Sequence, residues 1–240
     1  MLYLVIRSMS FFIMEKERLK ELAAEKAVEE VQPGMIVGLG TGSTIYYALL
    51  KLGQMVRSGL EIIGIPTSEQ TSQIAREQRI QLSTVTENPV IDLTIDGADE
   101  VDPNLNLIKG LGGALVREKI IAHASNRLII VADESKVVDY LGTKSPLPVE
   151  VVQFGWESTQ IALNRICQKS VLRQVNDQTF LSDNGNFILD CYFDQIFDPN
   201  QTEVEINGIP GVVENGLFVG RVDRVIVGTA DGIQTQDRQV

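Results

Sequence analysis

Short apolar segments alternate with amphipathic helical segments between residues 35 and 132, and this alternation constrains the fold more than any other feature. The apolar runs are 35–39, 61–65, 80–83, 91–96 and 128–132, and the helical patterns between them are 43–57, 68–78 and 114–124. Alternation at this spacing is typical of βαβ units with parallel strands. The sequence therefore predicts an α/β fold with an open, doubly wound, mostly parallel sheet of Rossmann-like type.

The pattern changes after the polar connection 142–146. Predicted strands then lie at 148–153, 171–174, 187–192 and 212–213, with helices at 158–168 and 202–207. The order β-α-β-β-α-β is that of a ferredoxin-like unit. The apolar run 222–228 predicts a parallel strand that returns to the first sheet. We expect a small α+β domain at 145–218, inserted into a larger α/β domain made of 15–144 and 219–240.

Residues 1–14 are apolar but too short to span a bilayer, and Arg7 interrupts them. They contain no small-residue cleavage site of the signal-peptide type. We interpret them as a loosely attached N-terminal extension. The alternative is that translation begins at Met14, because a clean helical pattern starts at Glu15 and ends before Pro33.

The net charge of −11 argues against nucleic acid and anionic membranes as partners, since both select basic surfaces. It does not exclude a small anionic metabolite, which responds to the local field of its site. The two cysteines, Cys167 and Cys191, have neither metal-ligand nor disulfide-framework spacing. They are typical of buried reduced thiols in a cytoplasmic protein.

The segment 38–44 reads Gly-Leu-Gly-Thr-Gly-Ser-Thr and joins the first apolar run to a helix. Glycines let a backbone approach an oxyanion, and a helix N-terminus offers amide N–H groups to it. Thr41, Ser43 and Thr44 add hydroxyl donors. The spacing fits neither a Walker loop nor a dinucleotide fingerprint. Hydroxyl residues in place of apolar ones favour a monophosphate over a dinucleotide. A tight turn without a ligand is the structural alternative.

Acidic residues crowd the segment 96–102, and Asp96 stands at the carboxyl end of a predicted parallel strand, where ligands of such sheets bind. A magnesium site and a solvated acidic loop are the two alternatives to a substrate site. Lys109, at the head of a glycine run, argues against the solvated loop, because a lysine near clustered acids can hold a developing negative charge.

Gly110, Gly112 and Gly113 open the predicted helix 114–124, so their amides are further oxyanion donors. The charged triplet 117–119 has apolar neighbours, which indicates that one of the three points inward. We expect this to be Glu118, since a carboxylate in a partly apolar pocket has a raised pKa and becomes a useful base.

His123 is the single histidine, and we assign it a structural role. A Ser-His-Asp hydrolase would have to use it, but the sequence contains no Gly-x-Ser-x-Gly elbow.

Together these segments resemble the ribose-5-phosphate isomerase A family, over about residues 16–235. The matching segments are 31–34, 40–44, 96–100, 109–120, 131–136, 183–186, 209–213 and 228–232. The resemblance implies interconversion of ribose 5-phosphate and ribulose 5-phosphate in the pentose phosphate pathway, and in the Calvin cycle if the source is photosynthetic. It also implies no metal, no organic cofactor, a sugar phosphate as partner, and a cytoplasmic homodimer or homotetramer.

The resemblance also implies roles for single residues. Glu118 matches the catalytic base that moves a proton through an enediolate, Lys109 holds the oxyanion, and Asp96 and Asp99 orient hydroxyls and assist proton transfer. The residues that match the family's substrate-binding positions are Lys20, Thr41, Gly42, Ser43, Thr44, Asp96, Gly97, Ala98, Asp99, Lys109, Gly110, Leu111, Gly112 and Lys136.

Two alternatives from other functional classes remain at this point. A CoA transferase of related architecture would use a glutamate as nucleophile, and it predicts covalent labelling and dependence on CoA. A sugar-phosphate-sensing regulatory domain would bind without catalysis. The second alternative calls for a DNA-binding segment, yet no basic patch or helix-turn-helix pattern precedes Met35.

Overall fold

The computed structural model describes residues 2–239, and their side chains from Glu15 onward. The helices are α1 (Leu2–Val28), α2 (Ser43–Arg57), α3 (Glu69–Glu77), α4 (Leu115–His123), α5 (Trp156–Leu163) and α6 (Pro199–Asn207), with a 3-10 turn at Glu134–Lys136. The strands are β1 (Ile36–Leu39), β2 (Ile63–Pro66), β3 (Gln81–Leu82), β4 (Leu93–Gly97), β5 (Glu100–Val101), β6 (Leu107–Ile108), β7 (Leu128–Asp133), β8 (Leu147–Val151), β9 (Lys169–Leu172), β10 (Gln174–Val175), β11 (Gln178–Thr179), β12 (Phe187–Tyr192), β13 (Val212–Asn215), β14 (Leu217–Phe218), β15 (Arg224–Thr229) and β16 (Gly232–Asp237).

The main sheet has seven strands in the order β16-β15-β7-β4-β1-β2-β3. All neighbours are parallel except β16, which runs antiparallel to β15 at the edge. The chain winds outward from β1 in one direction through β2 and β3, and in the other through β4, β7 and β15. This confirms the open doubly wound sheet, and it places the switch in winding direction between β1 and β4, where such sheets bind ligands.

The core of this sheet explains why its strands are short apolar runs. Val37, Leu39, Leu93 and Ile95 are all almost completely buried, because helices cover both faces. At Gly38 in β1 only glycine fits, because a Cβ there would lie 1.8 Å from the hydroxyl of Thr94 on the neighbouring strand β4.

A second, antiparallel sheet of four strands has the order β13-β8-β12-β9. In chain order its strands read fourth, first, third, second, and helices α5 and α6 make the two crossovers. This is the ferredoxin-like arrangement that the sequence predicts for 145–218. A separate apolar cluster that includes Val149, Leu189 and Ile206 lies beneath it, so the small sheet has a core of its own.

Several elements differ from the sequence prediction. The three-stranded sheet β14-β6-β5, the hairpin β10-β11 and the edge strand β16 were not predicted. All but β16 are strands of two residues, too short to show alternation, and β16 is mostly polar and exposed. The sheet β14-β6-β5 matters for the site, because β6 ends one residue before Lys109.

The first helix also differs. The sequence places its start at Glu15, whereas α1 begins at Leu2 and continues through that position without a break. The predicted extension and the predicted helix are therefore one backbone element, and the packing of the side chains of residues 1–14 lies outside the described residues. Among the described residues, no helix is both long enough and apolar enough to cross a bilayer.

Candidate active site

The site lies at the carboxyl edge of the main sheet, between β1 and β4. Asp96, in β4, is almost completely buried, and its Oδ1 accepts hydrogen bonds from the amides of Thr41 (3.1 Å) and Gly97 (2.7 Å). Gly40 makes this possible, because a Cβ there would lie 2.2 Å from Asp96 Oδ1. The glycine loop after β1 is therefore folded around the Asp96 carboxylate.

Lys109 joins the acidic segment to helix α4. Its Nζ lies 3.0 Å from Asp96 Oδ1 and 3.2 Å from Glu118 Oε1, and it donates to the Gly97 carbonyl at 2.5 Å. Burial alone would lower the pKa of Lys109, but the carboxylates of Asp96, Glu118 and Asp99 raise it above its ordinary value. The lysine is therefore a fixed cation between two carboxyl groups.

The environment of Glu118 strongly raises the pKa of its carboxyl. The residue is 4% exposed, and burial raises its pKa to about 8, with Lys109 opposing and the charges of Asp96 and Asp99 adding to the rise. Burial raises the pKa of Asp96 as well, against Lys109 and the two backbone amides. The oxygen Glu118 Oε2 is buried and has no hydrogen-bond partner among the described residues. A carboxyl with such a pKa can accept and return a proton near neutral pH.

A cavity opens above these groups. The residues that line it are Thr41, Gly42, Ser43, Thr44, Gly97, Ala98, Asp99, Lys109, Gly110, Gly112, Glu118 and Lys136. The structure thus brings together most residues that the sequence singled out, from the end of β4, three loops, helices α2 and α4 and the 3-10 turn. Asp99 is half-buried, and its Oδ2 accepts from the amide of Leu111 at 2.9 Å, which ties the acidic loop to the glycine segment.

The N-terminus of α2 forms one wall of the cavity. Gly42 precedes it with φ of 122°, a conformation that favours glycine, and no side chain caps the helix. Ser43 is exposed and Thr44 is buried, and both line the cavity. Free amides at a helix N-terminus, with two hydroxyls beside them, form an anion site.

The Thr41 hydroxyl has several hydrogen-bond partners within the protein. Its Oγ1 lies within hydrogen-bond distance of Thr67 (2.7 Å), Ser68 (2.8 Å) and Thr71 (3.0 Å), and Thr71 Oγ1 donates to the Gly40 carbonyl. The hydroxyl therefore holds the loop onto the start of α3. The sequence alone does not reveal this cluster, because about a whole βα unit separates Thr41 from the other three residues.

Two acids of the segment 96–102 face away from the cavity. The buried Glu100 carboxylate accepts from the amides of Gly142, Lys144 and Ser145, at 2.5–2.6 Å. Asp102 accepts from two amides of its own turn. Within the part of the chain that the structure describes, no group of three or more His, Cys, Asp or Glu is arranged to hold a metal ion.

Three other predicted residues lie in different settings. Lys136, on the 3-10 turn, is half-buried and lines the cavity. Lys20 is buried on α1, where its Nζ pairs with Glu17 at 2.7 Å, and it does not line the cavity. His123 is exposed at the end of α4, away from the cavity lining. Cys167 and Cys191 are buried free thiols, as predicted.

The triplet 117–119 has two inward residues instead of one. Besides Glu118, Lys119 is 4% exposed and pairs with Glu203 (3.1 Å) and Glu214 (2.9 Å) of the small sheet and its helix. Only Arg117 stays at the surface, where its Nη1 pairs with Glu69 at 2.9 Å. A charged residue that is neutralised by distant partners gives no local sequence signal, so this burial was not predictable.

Comparison with known proteins identifies the family to which this architecture belongs. The family model for ribose 5-phosphate isomerase A (phosphoriboisomerase A) matches residues 63–232. The chain belongs to the ribose-5-phosphate isomerase A family. Ribose-5-phosphate isomerase A of Gloeobacter violaceus is 53% identical over 222 residues, which cover 92% of this chain and 96% of that protein. The enzyme of Pyrococcus abyssi is 46% identical, with 94% of this chain and all of that protein covered.

Solved structures of ribose-5-phosphate isomerases show the same fold. The isomerase of Plasmodium falciparum has a TM-score of 0.90 and 40% identity, with 93% of this chain and all of that chain covered. A D-ribose-5-phosphate isomerase in complex with phospho-erythronic acid has a TM-score of 0.89 and 44% identity, with 92% of this chain and 99% of that chain covered. The resemblance seen in the sequence is therefore confirmed over nearly the whole chain.

Proposed function

We propose that this chain interconverts D-ribose 5-phosphate and D-ribulose 5-phosphate through an enediolate, with Glu118 as the base. The observation that carries the proposal is Glu118 itself: a buried carboxyl with a pKa near 8 and one free oxygen, in a cavity that ends at an uncapped helix N-terminus. This reaction is a step of the pentose phosphate pathway. The two relatives described above are both named ribose-5-phosphate isomerase A, after this isomerisation.

The substrate phosphate would bind at the N-terminus of α2. The free amides there, the hydroxyls of Ser43 and Thr44, and the charge of Lys136 supply donors and positive potential for a dianion. Binding energy from this remote end positions the sugar carbons above Glu118. Lys20 is a further candidate in the family pattern, and its pairing with Glu17 would have to change for it to reach the phosphate.

Proton transfer would take place at the other end of the cavity. Glu118 removes the proton from the carbon next to the open-chain carbonyl and returns it to the neighbouring carbon. The oxyanion of the enediolate lies near Lys109, whose charge stabilises it in a site shielded from water. Asp96 holds Lys109 in place, and Asp99 orients hydroxyls and assists proton movement during ring opening.

The complex of the related isomerase with phospho-erythronic acid supports a sugar-phosphate ligand. By its name, that compound carries a phosphate and a carboxylate, the two kinds of anionic group that the substrate phosphate and the enediolate would present in this cavity. A homodimer or homotetramer and a cytoplasmic location stay predictions of the resemblance.

The proposed function is tested with Glu118→Gln. The amide matches the carboxylate in shape but cannot accept the proton, so the variant should fold normally and convert ribose 5-phosphate to the ketose at less than a tenth of the normal rate, a barrier change of at least about 1.4 kcal/mol. The assay uses protein treated exhaustively with EDTA and contains no CoA.

A Glu118→Gln variant that keeps more than a tenth of the activity would show that another group is the base. If EDTA abolished the activity of the unmodified chain and magnesium restored it, the acids 96–102 would form a metal site instead. Activity that depended on added CoA would favour the transferase alternative.

A further inference from the structure

Arg173, which follows β9 in the small sheet, reaches across to the glycine segment of the cavity. Its Nη1 donates to the carbonyls of Gly110 (2.9 Å) and Leu111 (3.0 Å). The side chain is only 9% exposed. Residue 173 directly follows a strand of the small sheet, whereas the cavity lies at the main sheet. The sequence alone indicates no role for Arg173.

Arg173 is itself held rigidly. Its Nε donates to Asp190 Oδ2 at 2.9 Å and its Nη2 pairs with the other oxygen of that carboxylate, a two-bond arrangement that fixes the guanidinium plane. The Phe180 ring lies 5.8 Å from the guanidinium carbon and also packs on Gly113, where a Cβ would lie 2.4 Å from the ring. The three side chains form one clamp on the glycine segment, which we call the Arg173 clamp.

The clamp determines where the amides of the glycine segment point. Peptide groups are planar and trans, so the N–H of each points away from its C=O. With the Gly110 carbonyl held by Arg173, the N–H of the same peptide, that of Leu111, meets Asp99 Oδ2. With the Leu111 carbonyl held, the N–H of Gly112 points away from Arg173. Gly112 lines the cavity, and its N–H has no hydrogen-bond partner among the described residues.

We propose that Arg173 is a positioning residue of the isomerase, which aims the N–H of Gly112 at the reacting end of the substrate and keeps Asp99 in place. The proposal rests on the proposed function, since it assigns the reacting end to this part of the cavity. Without the clamp, the Gly113 N–H still holds the Gly110 carbonyl at 2.9 Å, but the peptide between Leu111 and Gly112 can rotate, because glycine constrains it little. The donor for a developing oxyanion is then no longer preorganised.

The test uses two variants, with Arg165→Lys as a control at an exposed arginine of the same part of the chain. Arg173→Lys keeps a cation next to Asp190 but lacks the planar fork that serves the carboxylate and two carbonyls together. It should fold and lose about tenfold or more in kcat/KM. In the double variant Arg173→Met with Asp190→Asn, no unpaired buried charge remains, so thermal stability should be regained while the loss of kcat/KM persists.

Binding of two probes separates positioning from general structural damage. Phospho-erythronic acid needs both ends of the cavity, so Arg173→Lys should weaken its binding about tenfold, in line with the rate effect. Inorganic phosphate needs only the α2 end, so its affinity should stay unchanged. Equal weakening of both probes, no weakening of either, or activity regained together with stability in the double variant would each overturn the proposal. These binding measurements need no turnover, so they remain decisive even if Glu118 is not the base.

Discussion

At the scale of single residues, the site is defined by one cation placed between two carboxyl groups. Lys109 balances one negative charge, so Asp96 and Glu118 cannot both be ionised without cost in a buried setting. Each carboxyl keeps one buried oxygen without a partner among the described residues, but Asp96 also accepts two backbone amides, which favour its charged form. We therefore expect the proton on Glu118, which suits Glu118 to exchange it.

This charge balance predicts the pH dependence of the free enzyme. The base must be deprotonated, and the pKa of Glu118 is raised to about 8, so activity is lost as the pH falls through that value. A single group with this pKa predicts that kcat/KM rises about fivefold from pH 7 to pH 8 and levels off above pH 9. The substrate phosphate, with a pKa near 6, is already a dianion in this range. Initial rates at low substrate concentration measure the profile.

The pH profile of Asp96→Asn tests whether Glu118 is the group that titrates. The charge of Asp96 raises the pKa of Glu118, so its removal should move the acid limb to lower pH, even though the rate itself falls. An acid limb that stays in place would mean that Glu118 is not the titrating group, or that Asp96 is not charged in the free enzyme.

At the scale of elements, the N-terminus of α2 is the proposed phosphate site, because a glycine precedes it where a side-chain cap is usual. If Ser43 and Thr44 bind the phosphate, Ser43→Ala with Thr44→Val should lower kcat/KM for ribose 5-phosphate by roughly a hundredfold or more, since each bond to a charged group contributes about 1.5–3 kcal/mol. Steady-state kinetics with ribose as a second substrate measure the effect.

Unphosphorylated ribose is the internal control for this double variant. It cannot use the phosphate site, so its already slow turnover should change much less. Equal losses on ribose and on ribose 5-phosphate would show that the two hydroxyls only shape the loop.

The sequence predicts an element well when the residues that encode it are continuous in the chain. Helix α2 was predicted with its bounds, and strands such as β12 were too, because their periodic patterns are continuous in the chain. The glycine and acidic segments of the site were predictable for the same reason. Arg173, Lys119 and the hydroxyl cluster around Thr41 were not, because each acquires its partners only when separate elements meet.

At the scale of the whole molecule, the first helix and the last parallel strand are packed backbone to backbone. A Cβ on Gly228 in β15 would lie 2.1 Å from the Leu19 carbonyl oxygen and 2.7 Å from its carbon. Backbone atoms cannot step aside as a flexible side chain can. This contact therefore requires glycine, and it fixes a helix from the start of the chain onto the face of the last parallel strand.

Gly228→Ala should destabilise the protein by about 1–3 kcal/mol, the usual cost of overpacking a core. For a chain of this size that corresponds to a melting temperature lowered by about 2–4 °C for each kcal/mol. The kcat of the folded protein should stay unchanged, because Gly228 does not line the cavity. Thermal unfolding and kinetics at low temperature measure the two effects.

Gly208→Ala is the matched control for this substitution. A Cβ there would lie 3.4 Å from its nearest neighbour, an ordinary contact, and its φ of −74° suits alanine. Similar melting temperatures for the two variants would show that the approach of α1 to β15 is not as tight as described.

Because β15 lies near the end of the chain, the main sheet cannot be completed until late in synthesis on the ribosome. Every residue that lines the cavity lies between 41 and 136, and so is synthesised before the small sheet begins at Leu147. Until β15 emerges, however, the buried strand β7 pairs only with β4 and presents an open apolar edge, the kind of edge that promotes aggregation. A chain that stops before Arg224 would therefore contain every residue that lines the cavity, and would still lack the strand that pairs with β7.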